Sequence, residues 1–120
     1  MAAFRIRQGD IFWLEGCRPL HGDVAERRPV VVVTPSDLVE AMTEVLVVAC
    51  TSSVLPSDQV AIELPSHERT PQTKTGLHCR TWAIPEWLLP VHRALLIDRA
   101  GYLSGATLRR LLAAVAKAHG

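Results

Sequence analysis

Two short β-branched runs do most to limit what this chain can become. Pro29–Thr34 reads PVVVVT and Val45–Ala49 reads VLVVA; branching at Cβ stiffens such side chains and favours strands over helices. The second run is apolar without a break, which predicts burial on both faces of a sheet. Both fall far short of the roughly 20 apolar residues that a membrane-spanning helix needs, so a protein core must take them in. Asp10–Glu15 (DIFWLE) follows the turn residue Gly9 and reads as another strand. Gln59–Leu64 (QVAIEL) alternates polar with apolar, as a strand with one wet face does. Trp82–Leu89 (WAIPEWLL) contains Pro85 and reads as an edge strand, a turn, or a short helix starting at the proline. The helix comes last. Ser104 is followed by GATLRRLLAAVAKAHG, with Ser104 or Thr107 as N-cap, Leu108, Leu111, Leu112 and Val115 as its apolar positions, and Gly120 beyond its end.

These elements predict a mainly β fold with α: four to six short strands spaced roughly 10–15 residues apart, forming a small, mostly antiparallel barrel with the helix closing one side. With 120 residues, 48% of them hydrophobic, a single domain spanning 1–120 is expected, able to bury a core without a disulfide or metal. Cys17, Cys50 and Cys79 are odd in number and form no CxxC pair, the pattern of a reducing compartment. The opening MAAFRIRQGD holds no apolar stretch long enough for a signal peptide. A cytoplasmic protein with no membrane association is expected.

The formal charge is +1, but it is unevenly spread. Residues 1–30 sum to +1, residues 31–70 to −5 and residues 71–120 to +5. A uniformly basic coat for nucleic acid is excluded, and any polyanion site must be local. Eleven of the thirteen cations are arginine, whose planar fork suits phosphate. No GxGxxG, P-loop or HExxH is present. His67, His78, Cys79 and Cys50 lack the spacing of a structural zinc site, and burial at an apolar strand end argues against a Cys50 nucleophile. No metal and no cofactor are expected.

Arg27-Arg28-Pro29 opens a strand directly after a polar loop, which is expected to leave both guanidinium groups wet at the barrel rim. Thr51-Ser52-Ser53 ends the Val45–Ala49 strand. If the two strands are neighbours, the Arg28 guanidinium and the Thr51 hydroxyl meet at one end of the barrel. RNA cleavage needs no protein nucleophile, because the 2′-hydroxyl attacks its own phosphodiester; the protein supplies charge stabilisation and proton transfer. Arginine offers two parallel donors to phosphate and threonine a third. Arginine is a poor base, so His21, Asp23 and Glu26 in the preceding loop are the candidates for that role. The plain structural alternative has Arg28 paired with Glu26 or Asp23 and Thr51 merely ending a strand.

Four segments in order, Gln8–Leu14 (QGDIFWL), Glu26–Thr34 (ERRPVVVVT), Ala49–Ser52 (ACTS), and Leu95 with Gly101–Ser104 (GYLS) leading into the last helix, make the chain resemble the MazF/PemK family of toxin endoribonucleases over nearly its whole length. The resemblance implies an SH3-like β-barrel with a C-terminal helix. It implies a homodimer that cleaves single-stranded RNA, messenger or transfer, at short sequences without metal, and that a cognate antitoxin silences. The family's catalytic Arg and Thr fall on Arg28 and Thr51, and the products would carry 2′,3′-cyclic phosphate and 5′-hydroxyl ends. Arg27, Glu26 and Ser52, beside that pair, are the expected substrate contacts. The family's RNA-contacting Gly-Ser-Glu-Gln stretch reads His21-Gly22-Asp23-Val24 here, so His21 and Asp23 join the substrate-binding candidates while Val24 departs from the pattern.

A second departure lies in TWAIPEWLLP, residues 81–90, where the family often has Asp-Gln-Ile-Arg. Base recognition does not carry over. Trp82 offers a ring on which a base can stack and Arg80 a phosphate contact; core or interface packing for Trp82 and Trp87, and solvated surface for Arg80, are the plain alternatives. Two rival functions use the same barrel: a CcdB-like gyrase poison that grips a protein, and a catalytically inactive barrel kept for binding an antitoxin.

Overall fold

The computed structural model describes residues 5–19, 25–53, 55–103 and 105–120. Six strands, β1 (Asp10–Cys17), β2 (Glu26–Val32), β3 (Glu44–Thr51), β4 (Ile62–Leu64), β5 (Thr81–His92) and β6 (Asp98–Tyr102), form one curled antiparallel sheet in the order β4-β5-β3-β2-β1-β6. A short helix, α1 (Ser36–Val39), joins β2 to β3, and α2 (Gly105–His119) follows β6. The mainly β architecture with a C-terminal helix is the one expected.

Alternation along the strands gives the sheet two apolar faces. Ile11, Val31, Val48, Cys50 and Ala83 lie in one layer, packed with Leu111 of α2. Phe12, Val30, Val32, Val47 and Ala49 lie in the other, against Val39 of α1 and Leu96. Val47 to Cys50 are fully buried, as the unbroken apolar run of β3 requires.

β2 begins at Glu26, one residue ahead of the Arg27-Arg28-Pro29 opening expected for it. The Gln59–Leu64 run pairs only over Ile62–Leu64. Residues 82–89 belong to strand β5, which pairs with β3 and, over Thr81–Ala83, with β4 as well. Pro85 is tolerated there by a bulge: between the pairs Val48↔Leu88 and Cys50↔Ala83, β5 takes five steps while β3 takes two, so the missing proline N–H falls where no ladder bond is due. Thr107 lies inside α2 rather than at its cap, and Ser104 is outside the described residues.

The gap between β4 and β6 is bridged by coil. The Tyr102 N–H donates to the Lys74 carbonyl at 2.9 Å, and the Thr75 hydroxyl donates to the Pro65 carbonyl at 2.8 Å. This approach works because two residues lack side chains. A Cβ on Gly101 would stand 2.1 Å from the Lys74 oxygen, and one on Gly76, which has φ +71°, 2.0 Å from the Ala100 oxygen. No helix among the described residues is long and apolar enough to cross a membrane.

Candidate active site

Arg28 shares its strand's parity with Val30 and Val32, and Thr51 shares that of Val47 and Ala49, so both side chains fall on the same sheet face. The β2–β3 register runs Val32↔Val47, Val31↔Val48, Val30↔Ala49; carried two residues further it sets Arg28 opposite Thr51. Both line one hollow of about 90 Å³ with Trp13, Glu26, Arg27, Ser52 and Ser53. The hollow is open to solvent, so a phosphate group can reach its lining.

Arg28 is not the wet rim residue expected. Its side chain is only 14% exposed, and Glu26 pairs with it at 3.3 Å. The guanidinium carbon lies 5.3 Å from the Trp87 ring centroid, within cation–π range. Nη1 donates a long bond, 3.4 Å, to the Cys50 carbonyl, while Nε is buried with no acceptor among the described residues. A buried donor without an acceptor is costly and rare. The pairing with Glu26 was the structural alternative weighed above; here it coexists with the Arg28–Thr51 juxtaposition.

Thr51 is 5% exposed. Its Oγ1 accepts the Ser53 backbone N–H at 3.1 Å, which fixes the oxygen and leaves the hydroxyl proton available to donate. Cys50, next in line, is fully buried, and that burial pushes its thiol far above the ordinary cysteine range; Cys17 is raised for the same reason. Neither is a nucleophile at neutral pH.

The other candidates divide by place. Glu26, Arg27 and Ser52 line the same hollow as Arg28 and Thr51. Arg27 sits over Trp13 at 5.0 Å and pairs with Asp98 and Glu15. Arg80 is beside the hollow but committed elsewhere: it grips Glu63 through Nε and Nη2 at 2.8 and 2.9 Å and lies over Trp82 at 5.0 Å. Its hydrogen bonds hold the Glu63 carboxyl below the usual glutamate range. Trp82 pairs directly with Thr51 across β3–β5. His21 and Asp23 lie outside the described residues.

Sequence reasoning missed the support given by Trp13, Trp87 and Glu63. Each indole carries an arginine, and for Trp13 and Trp87 that arginine is remote in sequence. A roomier cleft of about 610 Å³ lies elsewhere, beside Ile6, Val39, Leu96 and Ile97. Its Arg93 is spent on the Val39 and Glu40 carbonyls at the end of α1, so the smaller hollow is the better chemical candidate.

Residues 7–119 match the family described as PemK-like, MazF-like toxin of type II toxin–antitoxin system. The fold is similar to that of a MazE–MazF structure from Deinococcus radiodurans (15% identity, TM-score 0.70, 98% of each chain) and of MazF from the same organism (14%, 0.73, 96% of each). It is also similar to Mycobacterium tuberculosis toxin MazF-mt6 (22%, 0.64, 92% of this chain and 95% of that one). No curated protein matches the sequence.

Proposed function

This chain belongs to the PemK-like, MazF-like toxins of type II toxin–antitoxin systems, and on that premise we propose that it is an endoribonuclease cutting single-stranded RNA, messenger or transfer, without a metal. The observation that carries the reading is the lining of one hollow by Arg28 and Thr51 together.

In this reading the 2′-hydroxyl of the RNA attacks the adjacent phosphorus and gives its proton to Glu26, a carboxylate at the hollow. Arg28 stabilises the charge that accumulates on the pentavalent phosphorus oxygens, and Thr51 donates to one of them. The 5′-oxygen departs with a proton from solvent, leaving a 2′,3′-cyclic phosphate. A guanidinium already shielded from water and pinned by Glu26 and Trp87 acts in a low dielectric and has little to reorganise as the reaction proceeds. Arg27, Ser52, His21 and Asp23 contact the flanking RNA.

The active form proposed is a homodimer. Leu38, Met42, Leu46, Leu95 and Ile97 are exposed apolar residues gathered where α1 and residues 93–97 meet, Arg93 N–H bonding the Thr43 carbonyl. The silencing partner proposed is an antitoxin with an acidic segment, drawn to the basic final third; the D. radiodurans relative is seen as a MazE–MazF pair. The test is incubation with mixed RNA in EDTA. Cyclic-phosphate ends that disappear in Arg28→Ala, by about 10²–10³-fold, support the reading; equal cleavage by the variant overturns it. An inert wild type would favour a protein-gripping or inactive barrel.

A further inference from the structure

The hollow that Arg28 and Thr51 line has a neighbour on the same surface. Beside it, sharing Ser53, is a second hollow of about 360 Å³ lined by Ser53, Leu55, Gln59, Ala61 and Trp82, within the range of small-molecule sites. We propose that this second hollow is a nucleobase subsite: it takes a base next to the scissile phosphate, stacked on Trp82 and read by the Gln59 amide. The proposal rests on the nuclease reading for its choice of ligand.

Three observations support it. Among the described residues the lining is apolar except for Ser53 and one amide, the make-up of a site that holds a flat ring and inspects one edge. Among the described residues Gln59 Nε2 donates to the carbonyl of its own neighbour, Val60, at 3.2 Å, an exposed local bond that a base edge can replace, and an amide offers a donor beside an acceptor, as base edges do. Trp82 is held from one side by Arg80, itself clamped to Glu63, so the stacking platform is set before RNA arrives.

The two hollows are also joined mechanically. Trp82 is the cross-strand partner of Thr51, and the Ser53 N–H holds the Thr51 oxygen. A base seated against Ser53 and Trp82 therefore rests on the residues that position the hydroxyl, which couples base choice to chemistry.

The test profiles cut sites on a randomised single-stranded RNA pool with the wild type, Gln59→Ala and Ala61→Leu, the last filling the hollow. In parallel, a pool with 2′-O-methyl riboses, which cannot be cleaved this way, is crosslinked to the wild type by ultraviolet light and the attached peptide mapped. The expected result is about a tenfold loss of preference at one position beside the cut in both variants, with the crosslink on the peptide holding Trp82. Cleavage by all three proteins with one unchanged profile overturns the subsite and leaves the nuclease standing. An inert wild type overturns the nuclease, and the crosslink then decides alone: attachment at Trp82 supports a nucleobase site, and attachment elsewhere or none overturns it.

Discussion

The Trp87 ring lies 5.3 Å from the Arg28 guanidinium carbon, and the bulge in β5 is what brings it there. Trp82 and Trp87 are five residues apart, an odd spacing that a regular strand would send to opposite faces. The extra residues of β5 let Trp82 pair with Thr51 while Trp87 packs in the apolar layer of Val30 and Ala49, on the face of Arg28. Trp87→Leu should therefore lower the cleavage kcat by about tenfold, the scale of a desolvated cation–π contact, and leave KM for RNA nearly unchanged. Trp87→Phe should restore part of the rate. Single-turnover and steady-state kinetics on one short RNA separate the two effects.

Thr51 distinguishes hydroxyl chemistry from packing. Thr51→Ser keeps the oxygen that accepts the Ser53 N–H and should retain cleavage within a few fold. Thr51→Val keeps the shape, loses the donor, and should cleave roughly 10²-fold more slowly. It should also lose about 1 kcal/mol of stability for the unpaired Ser53 N–H. Equal rates in both variants would remove Thr51 from the reaction.

Gly101→Ala should be among the most damaging conservative changes in the chain. The new methyl would meet backbone atoms of Lys74 and Thr75, which cannot step aside as a side-chain tip can. A loss of about 2–4 kcal/mol is expected, read as a lower midpoint in urea with the slope unchanged.

Acid should uncouple Glu63 from Arg80. The Arg80 hydrogen bonds lower the folded-state pKa of Glu63, so the pair contributes its stability above the ordinary glutamate value of about 4.3. That contribution fades as pH falls through the lowered folded value, where the native carboxylate takes up its proton. Both partners are partly exposed, so Glu63→Gln should cost under about 1 kcal/mol at pH 7. The gap between the two urea midpoints should close progressively at acid pH.

The parts of the fold legible in the sequence are those where apolar residues gather in one clear local pattern. β1 and the valine runs of β2 and β3 are short unbroken apolar stretches rich in β-branched or aromatic residues, α2 repeats its apolar residues at helical spacing, and Leu111 is fully buried as its place in that stripe requires. β6 was not foreseen: Asp98–Tyr102 reads DRAGY, with no apolar alternation, and it is a strand because it pairs with β1 and receives the Lys74 coil across Gly101. The Arg28–Thr51 neighbourhood was legible because antiparallel register is simple arithmetic once two strands are known to adjoin. The depth of Arg28 was not, since it depends on Trp87, which arrives from a strand distorted around Pro85. Nor was the capture of Arg80 by Glu63, seventeen residues away in sequence.

The bulge between Ala83 and Leu88 divides β5 into two half-strands, each held by its own pairs to β3. Residues gained or lost in the slack between them need not turn either indole away from its post. One half bears the ring that backs the buried cation and the other the ring that borders the wider hollow, so the reach between chemistry and reading can be retuned in this stretch without rebuilding either end.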